Sequence, residues 1–139
     1  MEVVMLPPEL VLKHWFTISS LLEKALDRGQ DESTLTDHMR NILNGITHCW
    51  IVGDDNHNII SAGLTKINQY AQYKTLHIIA FSSINNLEEQ SKLFSTVEEF
   101  AKQMGCKAIE QWGRPGWAKH LPKYVPGFKQ AYVVMKKDL

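Results

Sequence analysis

The run Thr75-Leu76-His77-Ile78-Ile79-Ala80-Phe81 sets the tightest limit on what this chain can fold into. Its apolar side chains fall on both parities, so neither face of an extended segment here can be left in water, and the run reads as a central strand covered on both sides. Such a strand needs amphipathic helices to cover it. The sequence that follows supplies one: behind Asn86 as N-cap, Leu93, Phe94, Val97, Phe100, Ala101 and Met104 recur at three- and four-residue steps and stop at Gly105.

The upstream half reads in the same way. Pro7 and Pro8 open a helix whose apolar stripe is Val11, Trp15, Ile18, Leu22 and Leu26, closed by Gly29. Thr34 with Asp37 three residues on forms a capping box for a second, shorter helix lined by Leu35, Met39, Ile42 and Leu43. From Thr47 the period changes to extended runs, and Gly53-Asp54-Asp55-Asn56 between them predicts a β-hairpin. Downstream, residues 108–112 predict a short strand, 115–125 a short helix broken near Pro122, and 127–136 a last strand. The expected fold is α/β, a mixed central sheet flanked by helices in a single domain over residues 1–139.

Composition narrows the function classes. With 44% hydrophobic and 22% charged residues the chain is that of a globular protein. Fifteen basic and fifteen acidic residues cancel, so no long-range field draws in nucleic acid or an anionic membrane. From Gln111 onward Arg114, Lys119, Lys123, Lys129, Lys136 and Lys137 face Asp138 alone, a net of plus five, which makes that end mildly basic. Cys49 and Cys106 have no CxxC spacing and read as reduced, partly buried thiols of a cytosolic protein. Residues 1–6 carry neither a basic n-region nor a long apolar run, so neither a leader nor a membrane anchor is expected. The histidines form no HxxxH or Cys/His cluster, and no metal site is expected.

The element order, the helix ending Phe100-Ala101-Lys102-Gln103-Met104-Gly105-Cys106, and Tyr124 shortly before Gly127-Phe128 resemble the GNAT (Gcn5-related N-acetyltransferase) superfamily. Gly113-Arg114-Pro115-Gly116-Trp117, with the Leu-Pro-Pro start and Trp15, is also similar to short GNAT-like proteins encoded by tailed, especially short-tailed, bacteriophages. The resemblance implies a loop after the central strand of the form Gln/Arg-x-x-Gly-x-Gly/Ala, whose backbone N–H groups grip the CoA pyrophosphate at a helix N-terminus. Glycine belongs there because the backbone must turn sharply and approach the phosphates closely. Between Lys74 and Met104 this chain has none, and Glu88 and Glu89 stand in the first turn of the helix, where they repel a pyrophosphate and stabilise an empty helix start. If acyl-CoA binds, the matching positions are Phe81, Ser82, Ser83, Asn85 and Asn86.

Two residues are candidates for catalysis under that resemblance. Tyr124 lies near the position from which GNAT enzymes protonate a departing thiolate, and equally reads as an aromatic packed between helix and sheet. The unperturbed pKa of a histidine, about 6.5, suits His77 to be a general base, and it equally reads as a hydrogen-bonded histidine on the sheet surface. In the Gly-Arg-Pro-Gly-Trp string, Arg114 and Trp117 are residue types enriched at binding hot spots, while Trp117 could instead cap the core.

The leading expectation is a GNAT-like, phage-encoded protein that has lost ordinary acetyl transfer, needs no cofactor, and serves as a structural or interaction component associated with the virion or in the host cytoplasm. Its partner is then a protein or the virion assembly, with no membrane role and with homo-oligomerisation left open. The alternative is a working N-acetyltransferase that uses acetyl-CoA through a divergent loop. Nucleic-acid binding through the basic carboxyl end is the weakest class, because the net charge is zero and no nucleic-acid motif is present.

Overall fold

The computed structural model describes residues 1–26, 33–82, 87–112, 121–123 and 125–139. In chain order its elements are β1 (Glu2–Leu6), α1 (Pro8–Lys13), α2 (Trp15–Leu26), α3 (Leu35–Leu43), β2 (Thr47–Gly53), β3 (Ile59–Gln69), β4 (Lys74–Phe81), α4 (Leu87–Gln103) and β5 (Ala108–Gln111). The five strands form one sheet in the order β1-β2-β3-β4-β5. The first four pair antiparallel, and β5, reached through the α4 crossover, pairs parallel to β4. The apolar strand therefore lies inside the sheet between β3 and β5, as its composition requires.

Each sheet face carries its own core. On one face Val11, Ile18, Leu22 and Ile42, from α1 to α3, pack with Cys49, Ala62 and Leu64. On the other, Leu93, Val97 and Ala101 of α4 pack with Trp50, Val52 and Leu76. Burying a side chain of this size stabilises the fold by roughly 1.5–3 kcal/mol, so these two layers fix the sheet between the helices. The Thr34–Asp37 capping box forms as expected, with Asp37 N–H donating to Thr34 Oγ1 at 3.2 Å and Thr34 N–H donating to Asp37 Oδ2 at 2.8 Å. Among the described residues no helix is long and apolar enough to cross a membrane.

The structure corrects four expectations. The first helix is two: His14 leaves the helical range at φ −107°, ψ 18°, and α2 restarts at Trp15, which turns the second half against β3 and β4. Residues 2–6, read only for the lack of a leader, are a strand, because Val3 and Leu6 pack into opposite cores beside β2. In α3 the buried pair is His38 and Ile42, whereas Leu43 is exposed; the helix turns a histidine inward where the sequence suggests leucine. Residues 127–136 form no strand. Phe128 packs edge-on to Phe94 at 6.0 Å, and beyond it Tyr132, Val133, Val134 and Met135 are exposed, so the strand propensity of that run meets no partner among the described residues. Of the short helix expected at 115–125, residues 121–123 are helical, with Leu121 and Val125 packed on Ile78 and Phe94. Most of that segment lies outside the described residues, as do the caps expected at Gly29 and Asn86.

Candidate functional site

The site begins with an irregularity in β4. Thr65 pairs with Ile78 and Leu64 with Ala80, so Ile79 is an extra residue, a β-bulge in the central strand. A bulge bends its strand and ends regular pairing. Pairing with β5 stops at the same point, at Ile78 opposite Gln111. Residues 79–81 consequently present backbone groups on the β5 side that no described strand takes up.

Below the bulge, on the face that carries α1 to α3, register places a polar row across three adjacent strands. Lys66 of β3 is opposite His77 of β4, and His77 is opposite Glu110 of β5. Glu110 Oε1 accepts three hydrogen bonds, from Tyr70 Oη at 2.6 Å, Thr75 Oγ1 at 2.8 Å and Asn68 Nδ2 at 3.1 Å. Trp112 lies edge-on to the His77 ring, 4.7 Å between centroids, and donates its indole N–H to Tyr132 Oη at 3.2 Å. His38 comes from α3, which packs over β2, and it feels the Lys66 charge.

The protonation states follow from these surroundings. Burial disfavours the charged form of His77 and the nearby Lys66 ammonium adds to it, outweighing the pull of Glu110, so its pKa lies below the ordinary imidazole value. His38 is lowered for the same first reason, burial, with Asp37 opposing and Lys66 assisting. Desolvation pushes the Glu110 carboxyl up, but the hydrogen bonds from Tyr70, Asn68 and Thr75 together with His77 reverse it, and the net pKa is lowered. The Tyr70 hydroxyl, which donates to Glu110, is pushed up to about 12. At neutral pH the row is a cation, a neutral imidazole and an anion. His77 and His38 are only 7% and 6% exposed, and the Nδ1 of each has no hydrogen-bond partner among the described residues. Buried ring nitrogens are normally satisfied, so these two mark a place where something polar is wanted.

Of the residues singled out from sequence, His77 sits in this row. Phe81 lies across Gly63 on the α4 face, where a Cβ on that glycine would come 1.7 Å from the ring. Ser82 is buried just past β4, and its groups are already taken: its N–H donates to Ala62 O at 2.9 Å, and its Oγ accepts from Ala62 N–H at 2.9 Å and bonds Ser61 Oγ at 2.9 Å. Ser83, Asn85, Asn86, Arg114, Trp117 and Tyr124 lie outside the described residues. Sequence reasoning missed Glu110, Lys66, His38, Tyr70 and Trp112. One signal was present, a carboxylate in the short strand after the long helix, but its neighbours depend on register.

A second aromatic cluster lies on the opposite face. Trp50 Nε1 donates to Thr65 Oγ1 at 2.9 Å, and His48 Nδ1 lies 3.0 Å from the same hydroxyl. Phe100 meets both rings edge-on. An open groove of about 470 Å³ adjoins this cluster between β1 and α4, lined by Met5, Trp50, Glu99 and Phe100 among others, and it includes none of the polar row. We take the polar row as the candidate site because the chemistry is there: the groove's lining is mainly apolar, while the row holds ionised and unpartnered groups. Among the described residues no three metal-ligating side chains converge.

No family model and no curated protein matches the chain. Solved structures do. A probable acetyltransferase superposes with a TM-score of 0.73 at 9% identity, covering 100% of this chain and 97% of its own. An aminoglycoside acetyltransferase from an uncultured soil metagenomic sample, in complex with sisomicin, gives 0.71 at 15% identity, covering 99% of this chain and 95% of its own. Glucosamine-6-phosphate N-acetyltransferase from Arabidopsis thaliana gives 0.64 at 13% identity over 99% and 97% of the two chains. The chain thus shares the fold of these solved acetyltransferases, a five-stranded mixed sheet flanked by helices.

Proposed function

We propose that this chain transfers an acyl group from an acyl-CoA thioester to an amine, with His77 as proton acceptor. One observation carries the reading: a buried, neutral imidazole with an unpartnered Nδ1 stands beside an ionised carboxylate, just below the point where β4 and β5 part. The fold of solved acetyltransferases supports it. Bound acyl-CoA would supply the activated carbonyl and the thiolate leaving group. The edge at residues 79–81, which no described strand takes up, suits an extended arm bearing amides, since such an arm can add to a strand edge. As the amine forms its bond to the acyl carbon and the carbon–sulfur bond breaks, the amine must lose a proton. His77 Nδ1 takes it, and Glu110 stabilises the imidazolium that forms. Tyr70, Asn68 and Thr75 hold Glu110 ionised and in place.

A second reading is favoured by Ser82 and by the sequence that follows it. The N–H and Oγ of Ser82 are spent on Ala62 and Ser61, and no glycine lies between Lys74 and Met104 to bring backbone close to a pyrophosphate. Under that reading the chain is a phage-encoded GNAT-like protein without acetyl transfer, an interaction component of the virion or the host cytoplasm, with Arg114 and Trp117 as its contact. Calorimetric titration with acetyl-CoA and with CoA separates the two. The acyl-transfer reading expects saturable heat, a concentration-dependent rise in Tm, and thiol release on adding amines that falls by roughly 10²-fold or more in His77→Gln. No heat and an unchanged Tm at saturating acetyl-CoA would overturn it in favour of the interaction reading.

A further inference from the structure

The polar row has a direction. Lys66, His77 and Glu110 stand side by side on β3, β4 and β5, so positive charge lies at one end, negative at the other and a neutral imidazole between them. Adjacent strands are about 4.8 Å apart, which separates the Lys66 and Glu110 backbones by about 10 Å. The two do not neutralise one another: Lys66 makes no ion pair among the described residues. Glu110 is engaged only through Oε1, leaving Oε2 without a partner among them. The unpartnered Nδ1 atoms belong to the two histidines that feel the Lys66 ammonium, one from the sheet and one from α3.

An amine alone leaves Lys66 and His38 unanswered. An acid alone leaves Glu110 unanswered. From this we infer that the acceptor is a small zwitterion of the amino-acid class, its ammonium held between Glu110 and His77 and its carboxylate held by Lys66 and His38. With the ammonium midway between β4 and β5, the Lys66 backbone lies about one and a half strand spacings away, ~7 Å, a gap shared by the Lys66 side chain and the ligand, which limits the ligand to a short amino acid. Which atom reacts rests on the acyl-transfer reading; that the zwitterion binds does not.

The test is therefore made first without acetyl-CoA. Glycine, β-alanine and 4-aminobutyrate, their amides, and propionate are titrated into the full chain while the ring resonances of His38 and His77 are followed by NMR. At least one amino acid should shift both rings, with its amide and propionate each binding ten-fold or more weakly. Lys66→Met should weaken the amino acid at least ten-fold and leave its amide unchanged, Lys66→Arg should restore binding, and Glu110→Gln should weaken both amines. Circular dichroism of each variant separates lost binding from lost folding, and the amide comparison in the wild type needs no variant. Equal binding of amide and acid, indifference to Lys66→Met, or no ring shift with any probe would overturn the inference. Acetyl-CoA is then added. Binding without acetylated product would sink the acyl-transfer reading and leave the site standing, whereas equal acetylation of acid and amide would do the reverse.

Discussion

Replacing Gly63 with alanine tests how the end of β4 is held. Gly63 faces Phe81 across the β3–β4 pair, and a Cβ built there would lie 1.7 Å from Cδ1, 1.8 Å from Cε1 and 2.8 Å from Cγ of the ring. Carbon atoms in contact settle at about 3.5–4.0 Å, so the ring must retreat by roughly 2 Å. It has little room, because it packs against both clusters on the α4 face and lies tilted on Phe94 with centroids 6.1 Å apart. Overpacking of this kind costs about 1–3 kcal/mol. Alanine recovers roughly 0.5–1 kcal/mol of backbone entropy that glycine loses in a strand. The net expectation is a destabilisation of about 1–2 kcal/mol, which for a chain of this length lowers Tm by roughly 3–10 °C. Urea denaturation followed by circular dichroism should show a lower midpoint with unchanged slope. Phe81→Ala removes the clashing ring, so the double variant should be more stable than the sum of the single losses by about 1–2 kcal/mol. Gly63→Ala as stable as the parent, or strict additivity with Phe81→Ala, would refute the argument that the ring needs the missing side chain.

Three further outcomes follow from the same geometry. Thr34→Ala removes the acceptor for Asp37 N–H and should cost about 0.5–2 kcal/mol by urea denaturation, with Thr34→Ser close to the parent. His38, His48 and His77 are all lowered, first by burial, so each adds stability that is present above the unfolded histidine value and lost as pH falls through the folded one. Tm should therefore decline as pH drops below about 6.5, and His77→Gln should make that decline shallower; a flat Tm across that window would contradict the assigned neutral state. Cys49 is buried, and its thiol is pushed up to about 12, whereas Cys106 is half-buried. A thiol reagent at pH 8 should modify Cys106 alone in the native protein and both cysteines in urea; rapid native modification of Cys49 would show that the α1–α3 side opens readily.

The sequence by itself determined which segments are helix and strand wherever burial repeats at a regular period. Residues 75–81, apolar on both parities, had to be an interior strand, and the stripe from Leu93 to Ala101 had to lie across it. Thr34 with Asp37 marked a helix start, because capping is local chemistry. What depends on partners distant along the chain was not legible. The run Tyr132-Val133-Val134-Met135 has a strand's composition but meets no strand among the described residues, while residues 2–6 become one only because β2 lies beside them. The same reason hides the candidate site. His77 was visible as a lone histidine in an apolar strand, but its meaning comes from Lys66 eleven residues before it and Glu110 thirty-three after, placed beside it by an antiparallel and a parallel register. A one-residue slip in either pairing would put those charges on the other face. Side-chain type is written in the chain; which charges stand next to one another is decided by the hydrogen-bond register of the folded sheet.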